Sequence, residues 1–234
     1  KLTILASIAF GIPLQFDKVY IEGIGRITRD DVAYADQLGY RIKHLGIAHR
    51  SERGAQLRVH PTLIPQRQLL ASVDGVMNAV LVKGDAVGQS LFYGAGAGAE
   101  PTASAVVADI IDVVRTLTVD PENRVPHLAF QPDALSDLPV LPMEEVETAY
   151  YLRLLALDRP GVLADVTRIL ADCGIGIEAL MQKEAPPSAS TVPIVLLINP
   201  VLERRMNEAI TAIEALDSIR APVMRIRLEY LDSD

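Results

Sequence analysis

The sequence predicts an α+β protein: a mixed, mostly antiparallel sheet with helices, followed by a ferredoxin-like βαββαβ unit. Three observations carry this prediction. Residues 1–117 contain short strand patterns with helices among them rather than regular βαβ repeats. Residues 149–234 alternate strand, helix, strand, strand, helix, strand within about eighty residues, the split βαβ order. Between the two, residues 118–148 hold five of the chain's fifteen prolines and little periodicity.

The elements follow in order from local patterning. Leu2 to Phe10 is apolar, helical by its Ala and Leu content, and stopped by Gly11 and Pro13. Thr28 to Leu38 reads as a helix, because Thr28 precedes Asp30 and Asp31, acids that suit the positive N-terminal end; Gly39 ends it. Tyr40 to Ala48, Gln56 to Val59, Met77 to Val82 and Val87 to Phe92 read as strands, with Lys83-Gly84-Asp85 as a tight turn between the last two. Ala103, Val106, Val107, Ile110, Val114 and Leu117 then fall on one helical stripe.

Pro121, Pro126, Pro132, Pro139 and Pro142 mark the stretch that follows as extended and poorly helical. It is too apolar for a solvated tether, so part of it is expected to pack along a domain. Tyr150 to Leu157 is the next strand. Pro160 to Cys173 is a helix with Val162, Leu163, Val166, Ile169 and Leu170 on one face, ended by Gly174. Ile175 to Gln182 is a strand, followed by a polar loop containing Pro186-Pro187 and the strand Val192 to Asn199. Leu202, Met206, Ala209, Ile210, Ile213 and Leu216 mark a second helix, and Val223 to Tyr230 a last strand. The predicted division is 1–117, a linker 118–148, and 149–234.

Composition removes several function classes. The chain has 234 residues, half of them hydrophobic and 22% charged, which suits a globular protein with a real core. Lys plus Arg number 22 against 30 acids, a net charge of −8 without a basic block, so no nucleic-acid or anionic-membrane partner is expected. The single cysteine, Cys173, excludes an internal disulfide framework and a thiolate zinc cage, and fits the reducing cytoplasm. No run reaches the roughly 18 apolar residues of a membrane span. Lys1 followed by LTILASIAFGIPLQF imitates a signal peptide, yet it runs straight into structured sequence and opens on Lys, not Met; a longer protein beginning upstream is expected.

Other chemistries find no support. A thiohemiacetal mechanism needs a reactive cysteine, and Cys173 closes a predicted helix, where a structural role is expected. His44, His49, His60 and His127 lack metal-ligand spacing, so no metal is expected. No GxSxG elbow occurs. Glu144, Glu145 and Glu147 read as a solvated run.

Two segments carry the chemistry that remains. Asp158-Arg159-Pro160-Gly161-Val162-Leu163 lies at the first strand-to-helix turn of the βαββαβ unit. Gly161 lets backbone approach a ligand closely, and free N–H groups at the helix start can hold a carboxylate. The whole pattern resembles an ACT domain, a small module that binds amino acids. That resemblance implies an effector site at Asp158, Gly161, Val162, Leu163, Ile175 and Ile177. The second segment is Gly94-Ala95-Gly96-Ala97-Gly98-Ala99-Glu100-Pro101-Thr102, a glycine-rich loop opening onto a helix, able to press backbone N–H groups against a phosphate, amide or substrate oxygen. It matches neither the dinucleotide GxGxxG motif nor the P-loop, and composition alone equally allows a flexible hinge.

Taken with Asn78-Ala79-Val80, Gly84-Asp85, Val87-Gly88, PTASAV, Asp109-Ile110, Glu22-Gly23-Ile24, Ile27-Thr28 and Gly39 to Gly46, that loop resembles the substrate domain of homoserine dehydrogenase. An appended ACT domain also occurs in that family. The resemblance implies NAD(P)H-dependent reduction of aspartate 4-semialdehyde to homoserine, on the route to threonine and methionine, with NADP or NAD as cofactor. It implies a preceding dinucleotide-binding domain, and Lys1 as the catalytic lysine of an Asp-x-x-x-Lys motif whose acid lies upstream. Hydride attack on an aldehyde builds charge on oxygen, which an ammonium stabilises and protonates. Gly94, Gly96 and Gly98 would approach the nicotinamide and substrate, and the helix after them would pack on the nucleotide domain, leaving Ile111 and Val113 apolar yet uncovered. The resemblance further implies a small-molecule substrate, an amino-acid effector with threonine as the natural hypothesis, and a homodimer or homotetramer. The alternative is a non-catalytic amino-acid-binding regulatory protein.

Overall fold

One seven-stranded sheet runs through both predicted parts of the chain. The computed structural model describes residues 1–119, 124–126, 128–183 and 190–231; Pro121, His127 and the Pro186-Pro187 loop lie outside the described residues.

Helix α1 (Leu2–Phe10) ends at Gly11, whose φ of 61° is the left-handed closure that glycine adopts freely. It lies over the hairpin of β2 (Tyr40–Ser51) and β3 (Gly54–Pro65), where Gly46 lets the Leu2 side chain approach the strand. Helix α2 (Arg29–Gln37) begins in a reciprocal cap: Asp31 N–H donates to Thr28 Oγ1 and Thr28 N–H donates to the Asp31 carboxylate at 2.9 Å.

Strand β3 is longer than its sequence pattern predicts. It continues through Pro61 and Pro65, whereas proline normally interrupts a ladder. Its outer partner β2 supports it from Ser51↔Gly54 to Tyr40↔Pro65. On the other edge it meets two short parallel partners end to end: β1 (Tyr20–Ile21) at Arg58 and Val59, and β9 (Met224–Leu228) at Thr62 and Leu63. Pro61 falls in the gap between them.

The C-terminal unit is β6 (Glu147–Leu157), α4 (Val162–Asp172), β7 (Ile177–Gln182), β8 (Thr191–Leu202), α5 (Glu203–Glu214) and β9. Its strands lie in the order β9-β6-β8-β7, all antiparallel. With two parallel pairings at β3 and antiparallel ones elsewhere, the protein is α+β with a mixed, mostly antiparallel sheet, as the sequence predicts.

Strand alternation divides the core into two layers. Tyr150, Leu152 and Leu154 face α4 and α5, where they pack with Val166, Leu170, Met206 and Ile213. Ala149 and Tyr151 point the other way, onto Tyr34 and Ala35 of α2 and Leu63 of β3. The second layer therefore belongs to both parts of the chain. Full burial of each large apolar side chain stabilises by about 1.5–3 kcal/mol, so parting the two would uncover this shared layer, while the layer beneath α4 and α5 is built from the C-terminal unit alone.

The proline-rich stretch does pack. Ala55 N–H donates to Pro139 O and Leu141 N–H to Ala55 O, both at 2.8 Å, while Leu138 and Val140 join a small core with Ala6, Ile12 and Leu57. Strands β4 (Met77–Gly84) and β5 (Gly88–Ala95) form a separate two-stranded sheet that leads into α3 (Ala99–Leu117). No residue of α3 is buried. Ile111 and Val113, the residues off the main stripe expected to be apolar yet uncovered, are exposed, and the main stripe is open as well, with Val106, Val107, Ile110, Val114 and Leu117 all more than half exposed.

Candidate functional site

The glycine segment forms the join between β5 and α3. Gly96 N–H donates to Val76 O at 3.0 Å, which carries the hairpin ladder one step past Ala95. Gly98 then turns the chain with φ 128°, a conformation that strains a residue with a side chain, and precedes the first residue of α3. Pro101 sits in the first turn, where a missing N–H costs nothing. No side chain caps this helix start, so its backbone donors are available to a bound group. Gly94 faces open space at the position of its absent Cβ. The turn is thus a bare, exposed strip of backbone.

Lys1 is exposed, and its carbonyl accepts the Leu5 N–H at 3.1 Å as α1 begins. Because α1 packs on β2 and β3 while the glycine turn closes the β4–β5 sheet, the two predicted catalytic segments belong to different substructures of this chain.

At the predicted effector turn, Asp158 and Gly161 are exposed. Asp158 N–H donates to Ser190 O at 3.1 Å, and Gly161, at φ 95°, stands at the start of α4 without a side-chain cap. The four apolar members have a packing role: Val162 and Ile175 are buried in the core beneath α4 and α5, and Leu163 and Ile177 lean against it. They hold the turn in place, and Asp158 and Gly161 present the accessible polar and backbone surface.

Sequence reasoning missed two ionic junctions that tie the parts together. In the first, Arg153 of β6 donates from Nε and Nη2 to the two oxygens of Asp31, at 2.7 and 3.1 Å. Tyr151 adds a donated bond at 3.1 Å, and Asp31 is fully buried. Burial pushes the Asp31 carboxyl up, but the bonds from Arg153 and Thr28 outweigh it and leave it below the usual carboxylate range. In the second, Arg227 of β9 donates to Glu203 of α5 at 2.9 and 2.5 Å, to Glu22 at 2.9 Å and to the Tyr20 hydroxyl at 3.0 Å. Tyr150 and Arg225 complete the shell of Glu203. A cavity of about 270 Å³ opens beside this group, lined in part by Glu203, Asn207 and Arg225, which already satisfy one another. The available signal was a pair of arginines inside apolar strand patterns.

His60, in the middle of β3, is fully buried between Arg58 and Thr62. Burial, then the charges of Arg227 and Arg58, push its pKa down to about 3, so it is neutral at physiological pH. Among the described residues no group of three or more His, Cys, Asp or Glu is placed to hold a metal ion, and no helix is long and apolar enough to cross a membrane.

This architecture, a mixed-sheet domain with a glycine turn and a βαββαβ module on its edge, defines a class: an α+β domain fused to a small ferredoxin-like module. The comparisons agree. Residues 1–111 match the homoserine dehydrogenase family model and residues 150–217 the ACT domain model. The homoserine dehydrogenase of Pseudomonas aeruginosa is 66% identical over 232 residues, covering 99% of this chain and 54% of that protein. The one from Neisseria gonorrhoeae is 51% identical over 231 residues, covering 99% and 53%. A crystal structure of a homoserine dehydrogenase from Thiobacillus denitrificans superposes with a TM-score of 0.90 at 66% identity, over 98% of this chain and 52% of that one. The chain belongs to the homoserine dehydrogenase family, and it spans about half the length of the curated relatives it matches.

Proposed function

We propose that the full protein interconverts aspartate 4-semialdehyde and homoserine with NADP or NAD, and that this chain supplies its substrate and regulatory parts. The observation that carries the reading is the bare glycine turn, Gly94 to Gly98, opening onto the uncapped start of α3 in a segment matched over 1–111. The backbone there fits a cofactor: Gly94 offers open space, and the free N–H groups of the helix start suit an amide or phosphate oxygen. A nicotinamide cofactor, when bound, supplies or accepts the hydride. The chain's own part is proton handling and placement. Lys1 holds the proton at the substrate's aldehyde or alcohol oxygen, and its ammonium offsets the charge that grows there during reduction. Gly94, Gly96 and Gly98 admit the reacting groups to the backbone, and α3 docks its open stripe on the nucleotide-binding half.

The functional division follows 1–117 for substrate and dimerisation, 118–148 as connector and 149–234 as regulatory module. Asp158 and Gly161 form the polar rim of an amino-acid effector site, threonine being the first compound to test, with Val162, Leu163, Ile175 and Ile177 shaping its floor. Pairing of substrate sheets and of ACT modules gives a homodimer or homotetramer working in the cytoplasm. The test is NADP- and NAD-dependent oxidation of homoserine by the full-length protein, wild type and with Lys1→Ala. The reading expects turnover in the first and its collapse in the second. Turnover that survives the substitution removes Lys1 from the mechanism. No turnover with either cofactor overturns the catalytic reading and leaves an amino-acid-binding regulatory protein.

A further inference from the structure

We propose that Asn78 is the positioning residue of the glycine turn, holding its backbone in the shape that receives the nicotinamide cofactor; the inference rests on the catalytic reading above. In the β4–β5 hairpin Asn78 stands opposite Gly94, and Val76 bonds Gly96 one step further along. Residues 76, 78, 94 and 96 therefore share one face of the sheet. At positions 94 and 96 that face carries no side chain, because both residues are glycine. The Asn78 amide fills the space. A Cβ built on Gly96 would collide with the Asn78 Nδ2 and Cγ atoms, so the amide lies directly against the Gly96 backbone. Its Nδ2 donates to Val76 O at 3.2 Å, the same carbonyl that accepts the Gly96 N–H. One carbonyl thus fixes both the amide and the glycine beneath it.

The strand side of this contact is itself anchored. Lys43 of β2, whose side chain is mostly buried, donates to Val73 O at 2.6 Å and to Asp74 Oδ1 at 2.7 Å. Asp74 O in turn accepts the Met77 N–H at 3.2 Å. A side chain locked at one end to a braced strand and laid across a glycine is a template for that glycine's backbone. Without it, among the described residues the Gly96 N–H bond to Val76 O is left to define the approach of the turn between β5 and α3, and Gly96 regains the freedom of a residue lacking a Cβ.

The experiment is steady-state kinetics and cofactor binding on the full-length protein, comparing wild type with Asn78→Ala, Asn78→Asp and Gly96→Ala. Loss of one hydrogen bond and its template predicts a KM and Kd for NADP raised about tenfold in Asn78→Ala. The KM for homoserine should move less than twofold and the melting temperature should stay within the scatter of surface substitutions. Asn78→Asp, which keeps the size but loses the donor, should reproduce the defect, and so should Gly96→Ala, which forces the amide aside. A merely structural role would lower the melting temperature and leave the KM ratio untouched. If wild type turns over and the cofactor constants of Asn78→Ala equal its own, the inference falls and the catalytic reading stands. If wild type shows neither turnover nor cofactor binding, both fall.

Discussion

Arg153 and Asp31 are 122 residues apart in sequence and joined by two hydrogen bonds of 2.7 and 3.1 Å. Asp31 belongs to the cap of α2 and Arg153 to the first strand of the regulatory module, so one buried carboxylate serves a helix start and a domain junction together. Removing Arg153 leaves that carboxylate buried without its cation, which costs about 3–5 kcal/mol where the pair is well desolvated. Arg153 keeps a fifth of its side-chain surface, so Arg153→Ala is expected at or below the lower end, read as a drop in the urea midpoint. Asp31→Asn should cost less, because an amide still caps the helix. Equal stability of Arg153→Ala and wild type would show that the junction is not a stabilising link.

Arg227 forms the second link and is more enclosed, with 1% of its side-chain surface exposed against 3% for Glu203. Arg227→Met takes the more buried of two cations from Glu203 and leaves it Arg225 at 3.0 Å and the Tyr150 hydroxyl, so a loss at or below the lower end of about 3–5 kcal/mol is expected. Because β3 pairs directly with β9 and the Tyr34–Leu63–Tyr151 layer is shared, wild type should unfold in one transition followed alike by probes in both parts. A chain ended at residue 148 should fail to fold, since it uncovers Leu63 and one edge of β3. Two separate thermal transitions in wild type would contradict this coupling.

Much of this was legible in the sequence and some was not, for physical reasons. The βαββαβ order could be read because each helix carries an apolar stripe and each strand is bounded by glycine, proline or a polar turn. The end of β3 could not, because Pro61 and Pro65 forbid by local rule what partners on both sides permit. The glycine turn was visible as composition, while Asn78 was visible only as a neighbour in a motif, since its role depends on the cross-strand register. The ionic junctions reach across the chain, 122 positions from Arg153 to Asp31 and 205 from Arg227 to Glu22, and no periodicity reports such a distance. Val162 and Leu163 pack in the core as the helix-face periodicity of α4 says, while Ile175 and Ile177, before and at the start of β7, pack there too without a helical pattern to report it.

His60 gives a pH dependence whose sign can be worked out. Its pKa is about 3 in the fold and about 6.5 in an unfolded chain. Between those values the unfolded state binds a proton that the native state does not, so stability falls as pH drops through that window. From pH 7 to pH 5 this single group removes about 2 kcal/mol. Asp31 and Glu22, both held below the usual carboxylate range, add further loss only at lower pH. Urea titrations at the two pH values should show the difference, and His60→Gln should flatten it. A slope unchanged by that substitution would place the titration elsewhere.

Gly54 marks where the proline-rich stretch seats on the sheet. A Cβ there would stand 2.5 Å from the Pro139 carbonyl oxygen and 2.9 Å from a Leu141 methyl, and the residue has φ 151°. The backbone oxygen cannot rotate away as a side chain would, and it accepts the Ala55 N–H. Gly54→Ala should therefore break the Ala55–Pro139 pairing and cost about 1–3 kcal/mol, in the range of overpacking a tight site. Gly75→Ala is the control, because nothing lies within 4 Å of its Cβ position although its φ of 63° also disfavours a side chain. If the two variants lose the same stability, conformational strain alone is responsible and the contact with Pro139 contributes nothing.

The open stripe of α3 separates the chain from the full protein. Ile110 and Val114 are 57% and 56% exposed, and a contiguous apolar surface of this kind marks an interface. In the isolated chain, Ile110→Asp and Val114→Asp replace solvent-exposed methyl groups with a solvated carboxylate, so their effect on stability should stay within about 0.5 kcal/mol. In the full-length protein, if the nucleotide-binding half covers this stripe, each substitution buries an unpaired charge, and such burial is strongly unfavourable. The full-length variants should then melt lower, expose the α3 segment to proteolysis and lose homoserine oxidation, while the isolated variants behave as wild type. Equal tolerance in both contexts would leave α3 facing solvent in the whole protein and remove the docking role assigned to it.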